Sequence, residues 1–200
     1  MSKELIKIRE EKKEDYDAVQ IVNDRAFGTP EEGRIINILR EVCQETLSLV
    51  AVSDEKIVGH IFFSPVTIDQ EDTQVIGMGL APMAVLPEFQ NQGIGSLLAK
   101  EGLRRIKETE CPFIIVLGHI NYYPRFGFER ASKYGLKCQW DGVPDEAFMV
   151  LVLNKSTIAG ISGVAKYRSE FDEAMKMPNN SFNTRCWRGW RRGKPTKIHL

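Results

Sequence analysis

The stretch Gln90-Asn91-Gln92-Gly93-Ile94-Gly95-Ser96 carries the residue types and spacing best suited to chemistry. It follows an apolar run, Met83-Ala84-Val85-Leu86, that Pro87 stops, because proline has no N–H to give a strand ladder. Glycines at 93 and 95 remove side chains where a helix would begin. The first-turn N–H groups of such a helix have no intrahelical partner and sit at the positive end of its dipole. They can therefore hold a pyrophosphate without a lysine. Two better-known phosphate loops do not fit. A Walker loop needs Gly-Lys-Ser/Thr where this chain has Gly95-Ser96-Leu97, and a dinucleotide fingerprint needs a third glycine where it has Leu98. Taken alone, the glycines suit a tightly packed strand-to-helix turn equally well.

With its flanks, Gln90-x-x-Gly93-x-Gly95 resembles the acetyl-CoA signature of the GCN5-related N-acetyltransferases (GNAT): Arg or Gln, two residues, Gly, one residue, Gly or Ala. A second match is Tyr123-Pro124-Arg125-Phe126-Gly127-Phe128, since the family has a tyrosine four residues before the glycine of a Gly-Phe pair. The resemblance covers roughly residues 5–153 and is nearest to a small YhbS-like subgroup. It implies an α+β domain in α/β/α layers, with a mixed, mostly antiparallel sheet of about seven strands and helices on both faces. It also implies an N-acetyltransferase that moves an acetyl group from acetyl-CoA, its co-substrate, to a primary amine of a small molecule, peptide or protein by direct attack, with no metal. A homodimer is compatible with it. The alternative is a GNAT-like module that binds an acyl-CoA or nucleic acid without transfer.

By that resemblance, Met83, Ala84 and Val85 pair with the pantetheine arm as an added strand would, and an N–H near Ala84 or Val85 polarises the thioester carbonyl. Gln90, Asn91, Gln92, Gly93, Ile94, Gly95 and Ser96 surround the pyrophosphate, and Tyr122 lies beside the cofactor. Tyr123 is the expected acid, because a phenol of pKa ~10 stays protonated at neutral pH and can donate to a thiolate of pKa ~8.5. An ammonium of pKa ~10 must first lose a proton. Strand four offers no carboxylate for that task, so His119, at the carboxyl end of a strand, and Glu32 are the catalytic candidates, with His60 a third. Each has a plainer reading: His60 as a core histidine, Glu32 as the acid of a capping box begun by Thr29. Many family members place an Asn before the tyrosine to contact pantetheine; here that stretch reads Val116-Leu117-Gly118-His119.

The elements that must position these groups follow from periodicity. Leu5–Arg9, Leu47–Val52, Ile57–Phe63, Val75–Val85, Pro112–Gly118, Gly135–Cys138 and Ala147–Leu153 read as strands. Helical spacing appears from Glu14 to Ala26, from Pro30 to Val42 and over residues 96–108. The fold is expected to be complete by Leu153, giving a domain over 1–155 and an extension over 156–200 with a short helix near 165–171. From Ser181 the extension holds six arginines and lysines and no acid, interleaved with Trp187 and Trp190. That pattern could stack on single-stranded nucleic acid, or be a plain basic, disordered tail. Lysines plus arginines and aspartates plus glutamates balance at 27 each. No apolar run approaches the ~20 residues of a membrane span. The four cysteines form no C-x-x-C pair, which argues against zinc and for reduced thiols in a cytoplasm.

Overall fold

The computed structural model describes residues 5–70 and 73–172. The basic tail from Ser181, Cys186 within it, and the Glu71-Asp72 turn lie outside the described residues. Strand β1 (Lys7–Glu10) leads into helix α1 (Tyr16–Phe27), whose buried stripe includes Val19 and Val22. Gly28 stops α1 in the left-handed region (φ 77°), and its N–H donates to the Asp24 carbonyl. Helix α2 (Glu31–Val42) begins one residue later than the sequence suggests: Pro30 takes the cap position, and the Thr29 hydroxyl donates to the Glu32 carboxylate instead of accepting from the backbone.

Strands β2 (Leu47–Ser53), β3 (Lys56–Gln70) and β4 (Thr73–Val85) form an antiparallel meander. Helix α3 (Ile94–Lys107) carries the chain over the sheet to β5 (Phe113–Leu117), which runs parallel to β4. Strands β6 (Glu129–Arg130), β7 (Leu136–Cys138) and β8 (Phe148–Val152), a short helix α4 (Lys155–Ile158) and β9 (Gly163–Tyr167) complete the described chain. The sheet order is β1-β2-β3-β4-β5-β8-β6, with β9 pairing both β3 and β7.

The described sheet therefore has nine strands, β6 and β9 being additional to those read from the sequence. The fold does not end at Leu153, and the helix expected at 165–171 is in fact strand β9 at its start. In Gly163-Val164-Ala165-Lys166-Tyr167 the side chains of Ala165 and Tyr167 point inward, while Lys166 points out to Asp69 (2.8 Å). This two-residue period, closed by pairing to β3 at Val66↔Tyr167, outweighs the helical reading.

Alternation along β3 splits the core. Gly102 of α3 faces Phe63, where a Cβ would come within 2.5 Å of the ring, so glycine lets helix and sheet approach. Phe62 points the other way and joins Ile35, Ile36 and Leu39 of α2. Fully burying each phenylalanine contributes about 2–3 kcal/mol. Between β3 and β4 the register moves from Ile61↔Met83 to Phe63↔Leu80, so β4 spends an extra residue at Ala81-Pro82. A bulge bends its strand, and Pro82 has no N–H to restore the ladder. Accordingly β4 and β5 pair only through Met78↔Ile114, Gly79↔Ile115 and Leu80↔Val116, and beyond that point they part.

Candidate active site

The parted strands leave main-chain groups facing a gap. The Leu86 N–H donates across to the Val58 carbonyl (2.9 Å), so strand alternation turns the amide groups of Val85 and Met83 away from β3 and toward the gap. Likewise the Gly118 N–H donates to the Ala147 carbonyl (2.9 Å), which turns the Leu117 N–H toward β4. Met83, Ala84 and Val85 have buried side chains, so only their backbone is available to a ligand there.

The turn after β4 is shaped by two left-handed residues, Asn91 (φ 62°) and Gly93 (φ 86°). Gly93 caps α3, and a Cβ built on it would meet nothing within 4 Å. The cradle is thus open rather than filled by side chains. Gln90 is buried, and its Nε2 donates to the Val85 carbonyl (2.9 Å), fixing the end of β4 to the turn. Gln92 Nε2 donates to the Glu88 carbonyl (3.2 Å), and Ile94 packs into the core. These three side chains therefore build the loop, and of the buried pair, Gln90 and Ile94, only the backbone remains for a ligand. Arg25 of α1 adds a fork onto Glu88 (3.0 and 3.1 Å), an exposed pair of the kind worth under about 1 kcal/mol.

A cavity of about 470 Å³ opens beside this cradle, lined by Asn91, Gly93, Gly95, Ser96, His119, Asn121, Tyr122 and Arg125. Ser96 Oγ and Tyr122 Oη stand 3.5 Å apart in its wall. Burial raises the Tyr122 phenol above its ordinary pKa, opposed by Ser96 and by the Arg125 charge. Arg125 lies over the Tyr122 ring, its Cζ 4.3 Å from the centroid, and its Nε donates to the Tyr122 carbonyl (3.2 Å). Sequence reasoning missed Arg125 and Asn121. The signal for the first was a three-residue spacing from Tyr122 inside a short helical turn, which stacks guanidinium on ring.

The base candidates fall in different places. His60 is fully buried, with Nδ1 3.2 Å from Asn23 Nδ2 and Nε2 2.9 Å from Ser48 Oγ. Burial, then the Arg40 charge, holds its pKa down to about 3, so it is a neutral core residue. His119 reaches the cavity, but its Nδ1 accepts the Asn121 N–H (3.2 Å). An imidazole that accepts at Nδ1 carries its neutral-form proton on Nε2. Glu32 is 2 % exposed on α2, with Oε2 accepting from Thr29 Oγ1 (2.9 Å). Tyr123 is buried; its ring covers Gly118 and meets Tyr122 (5.1 Å) and Phe128 (5.7 Å) edge-on.

A family model described as the acetyltransferase (GNAT) domain matches residues 7–131. The chain belongs to the GNAT family. The GNAT relative N-acetyltransferase YhbS of Escherichia coli K12 is 37 % identical over 149 residues, which is 74 % of this chain and 87 % of YhbS. The crystal structure of E. coli YhbS in complex with CoA superposes with a TM-score of 0.78 at 34 % identity, covering 86 % of this chain and 94 % of that one. A GNAT acetyltransferase from Brucella melitensis in complex with acetyl-CoA gives a TM-score of 0.68 at 31 % identity, covering 85 % and 100 %. Among the described residues no helix is long and apolar enough to cross a membrane, and no cluster of His, Cys, Asp and Glu is suited to a metal ion.

Proposed function

We propose that this protein is an N-acetyltransferase that binds acetyl-CoA across the β4–α3 turn and passes its acetyl group directly to a primary amine. The observation that carries this reading is the open cradle at Gly93, with Ser96, Tyr122 and Arg125 around one cavity. Phosphates there meet unpaired first-turn amides, the α3 dipole and one guanidinium; among the described residues no carboxylate pairs with Arg125. The CoA bound to the YhbS structure and the acetyl-CoA bound to the Brucella structure support the same ligand.

In the proposed reaction the Val85 or Met83 amide, turned into the gap, polarises the thioester carbonyl. Tyr123 gives its proton to the departing sulfur. The base is Glu32 rather than His119, because the histidine presents a donor to the cavity while Glu32 is a buried carboxylate on the helix that lines the opposite face. His119 then serves the cofactor, donating to one of its oxygens. Free thiols at Cys43, Cys111 and Cys138 suit a reducing cytoplasm.

Calorimetric titration of acetyl-CoA followed by a free-CoA release assay over an amine panel tests the reading. Binding is expected, with release on at least one amine and about a 10²-fold or greater loss of turnover in Tyr123→Phe at unchanged cofactor affinity. Binding without release on any amine would leave a non-catalytic acyl-CoA module. Absence of binding would remove the reading altogether.

A further inference from the structure

Helix α3 is shorter than the sheet it covers. Its Gly102 sits over Phe63 of β3, and the helix ends at Lys107. The strands run on. Their register pairs Phe63 with Leu80, Pro65 with Met78 and Thr67 with Ile76, so these side chains share one face, on successive rungs leading away from Gly102. Leu47 of β2, opposite Phe63, borders them. Past the end of α3 this face lies open among the described residues, and Ile76 is 54 % exposed. The result is a second cavity of about 790 Å³, floored by Leu47, Pro65, Ile76 and Met78. It lies at the opposite end of α3 from Gly93 and shares no lining residue with the cofactor cavity.

The rim of this groove is acidic. Glu10, Glu45, Glu108 and Glu110 stand there against Arg104 and Arg105. Both arginines are already engaged, Arg104 by Glu101 and Glu108, Arg105 by Glu101 and Glu10. Glu45 and Glu110 are exposed and make no ion pair among the described residues. An occupant that suits both parts is therefore cationic toward the rim and aromatic or aliphatic toward the floor.

The chain itself leads to such an occupant. Strand β9 ends at Tyr167, opposite Val66, one residue from Pro65 of the floor. Phe171 is buried with Ile36 and Leu39 on the other face of the sheet, and Asp172 accepts from Gln139 Nε2 and Trp140 Nε1 (2.9 Å each). From there residues 173–181 can reach up to about 30 Å, well beyond the ~10 Å that separates packed layers. The next stretch, 182–194, sets five arginines and lysines among Phe182, Trp187 and Trp190 and holds no acid. We propose that residues 182–194 dock in this groove of their own chain, arginines on Glu45 and Glu110, tryptophans over the Ile76–Met78 floor. The same carboxylates repel a nucleic acid, so the groove favours the segment over an oligonucleotide. This docking is independent of the acetyl-transfer reading.

The full chain carries its own reporters, since two of its three tryptophans are Trp187 and Trp190. Trp140, stacked on Tyr167 at 5.4 Å, gives a constant background. Acrylamide should quench the wild-type tryptophans weakly. Glu45→Lys with Glu110→Lys turns two attractive pairs repulsive, and the docked-to-free ratio should fall about tenfold, read as stronger quenching. Both carboxylates are exposed and unpaired, so this variant folds. Arg188→Glu with Arg191→Glu should release the segment from the native rim and restore its protection on the reversed one. Ile76→Ser should release it as well, and added salt should act in the same direction. Quenching that ignores the rim variant, or a charge swap that restores nothing, would overturn the proposal. So would protection that rises with protein concentration, which would assign the groove to a second copy, or protection that appears only with added oligouridine, which would assign the segment to nucleic acid.

Discussion

The two faces of the sheet are built in different currencies. On the α3 face the site is mostly main chain: amides at the start of α3, two left-handed residues at Asn91 and Gly93, and strand groups of Met83 and Val85 freed by the bulge at Ala81-Pro82. On the α1–α2 face the polar groups are side chains from distant segments: Glu32 from α2, His60 of β3 held in the core by Asn23 and Ser48, and Tyr167 from β9. Main-chain sites are specified by short sequence spans, because a dihedral and a missing Cβ are local properties. Side-chain sites are specified by which strands pair, a property of the whole chain. The cofactor face should therefore break by changes to backbone shape, and the opposite face by changes to single functional groups.

Gly93→Val is the largest break available on the cofactor face. It forces a β-branched residue into φ 86° and puts its side chain in the empty cradle. Acetyl-CoA affinity measured by calorimetry should fall by about 10²-fold or more, since every first-turn amide loses its approach to the phosphates. The protein should stay folded, because strain at one left-handed position costs only about 1–3 kcal/mol. Wild-type affinity in this variant would mean that the phosphates sit elsewhere.

A smaller and opposite break is expected from Glu32→Gln. Gln keeps the shape and can still accept from Thr29, but it cannot take up a proton. kcat should fall by about 10- to 10²-fold with acetyl-CoA affinity unchanged, and activity should partly return at higher pH, where more amine is already neutral. An equal loss of affinity would erase the distinction between the faces.

This division also explains what was legible from the sequence. Apart from the two-residue β6, the order of strands and main helices from Lys7 to Val152, the parallel step from β4 to β5, and the open turn at Gly93 all follow from local patterns: two- and 3.6-residue periods, a proline stop, and glycines at fixed spacing. Strand β9 was not legible, since Gly163–Tyr167 is weakly apolar and becomes a strand by pairing to β3, almost a hundred residues away. With it went Tyr167. His119 was read to the right place, at the cavity wall, but its ring contact was not legible. Which ring nitrogen holds the proton depends on the Asn121 N–H, a contact two residues away that only the turn geometry creates. Gln90 and Ile94 lie in the motif yet turn their side chains into the protein, because a loop that presents amides outward must anchor itself inward, while Gln92 ties back to the Glu88 carbonyl at the surface.

The smallest expected effect sharpens the comparison through pH. His60 is neutral in the folded chain, with its pKa held down to about 3, whereas an unfolded histidine titrates near ~6.5. Between these values the unfolded state takes up a proton that the folded state refuses. His60 thus contributes stability that is fully present above about pH 6.5 and is lost as pH falls toward 3. His60→Gln, which keeps a donor and an acceptor between Asn23 and Ser48 but does not titrate, should lower Tm by a few degrees at pH 8 and flatten the decline in Tm from pH 6.5 to pH 4. Its acetyl-CoA affinity should not move, because the ring supports β3 beneath α1 and touches nothing in the cradle. An undiminished decline in Tm would place the acid sensitivity in the carboxylates instead, with the depressed Asp15 and Glu101 as the first to examine.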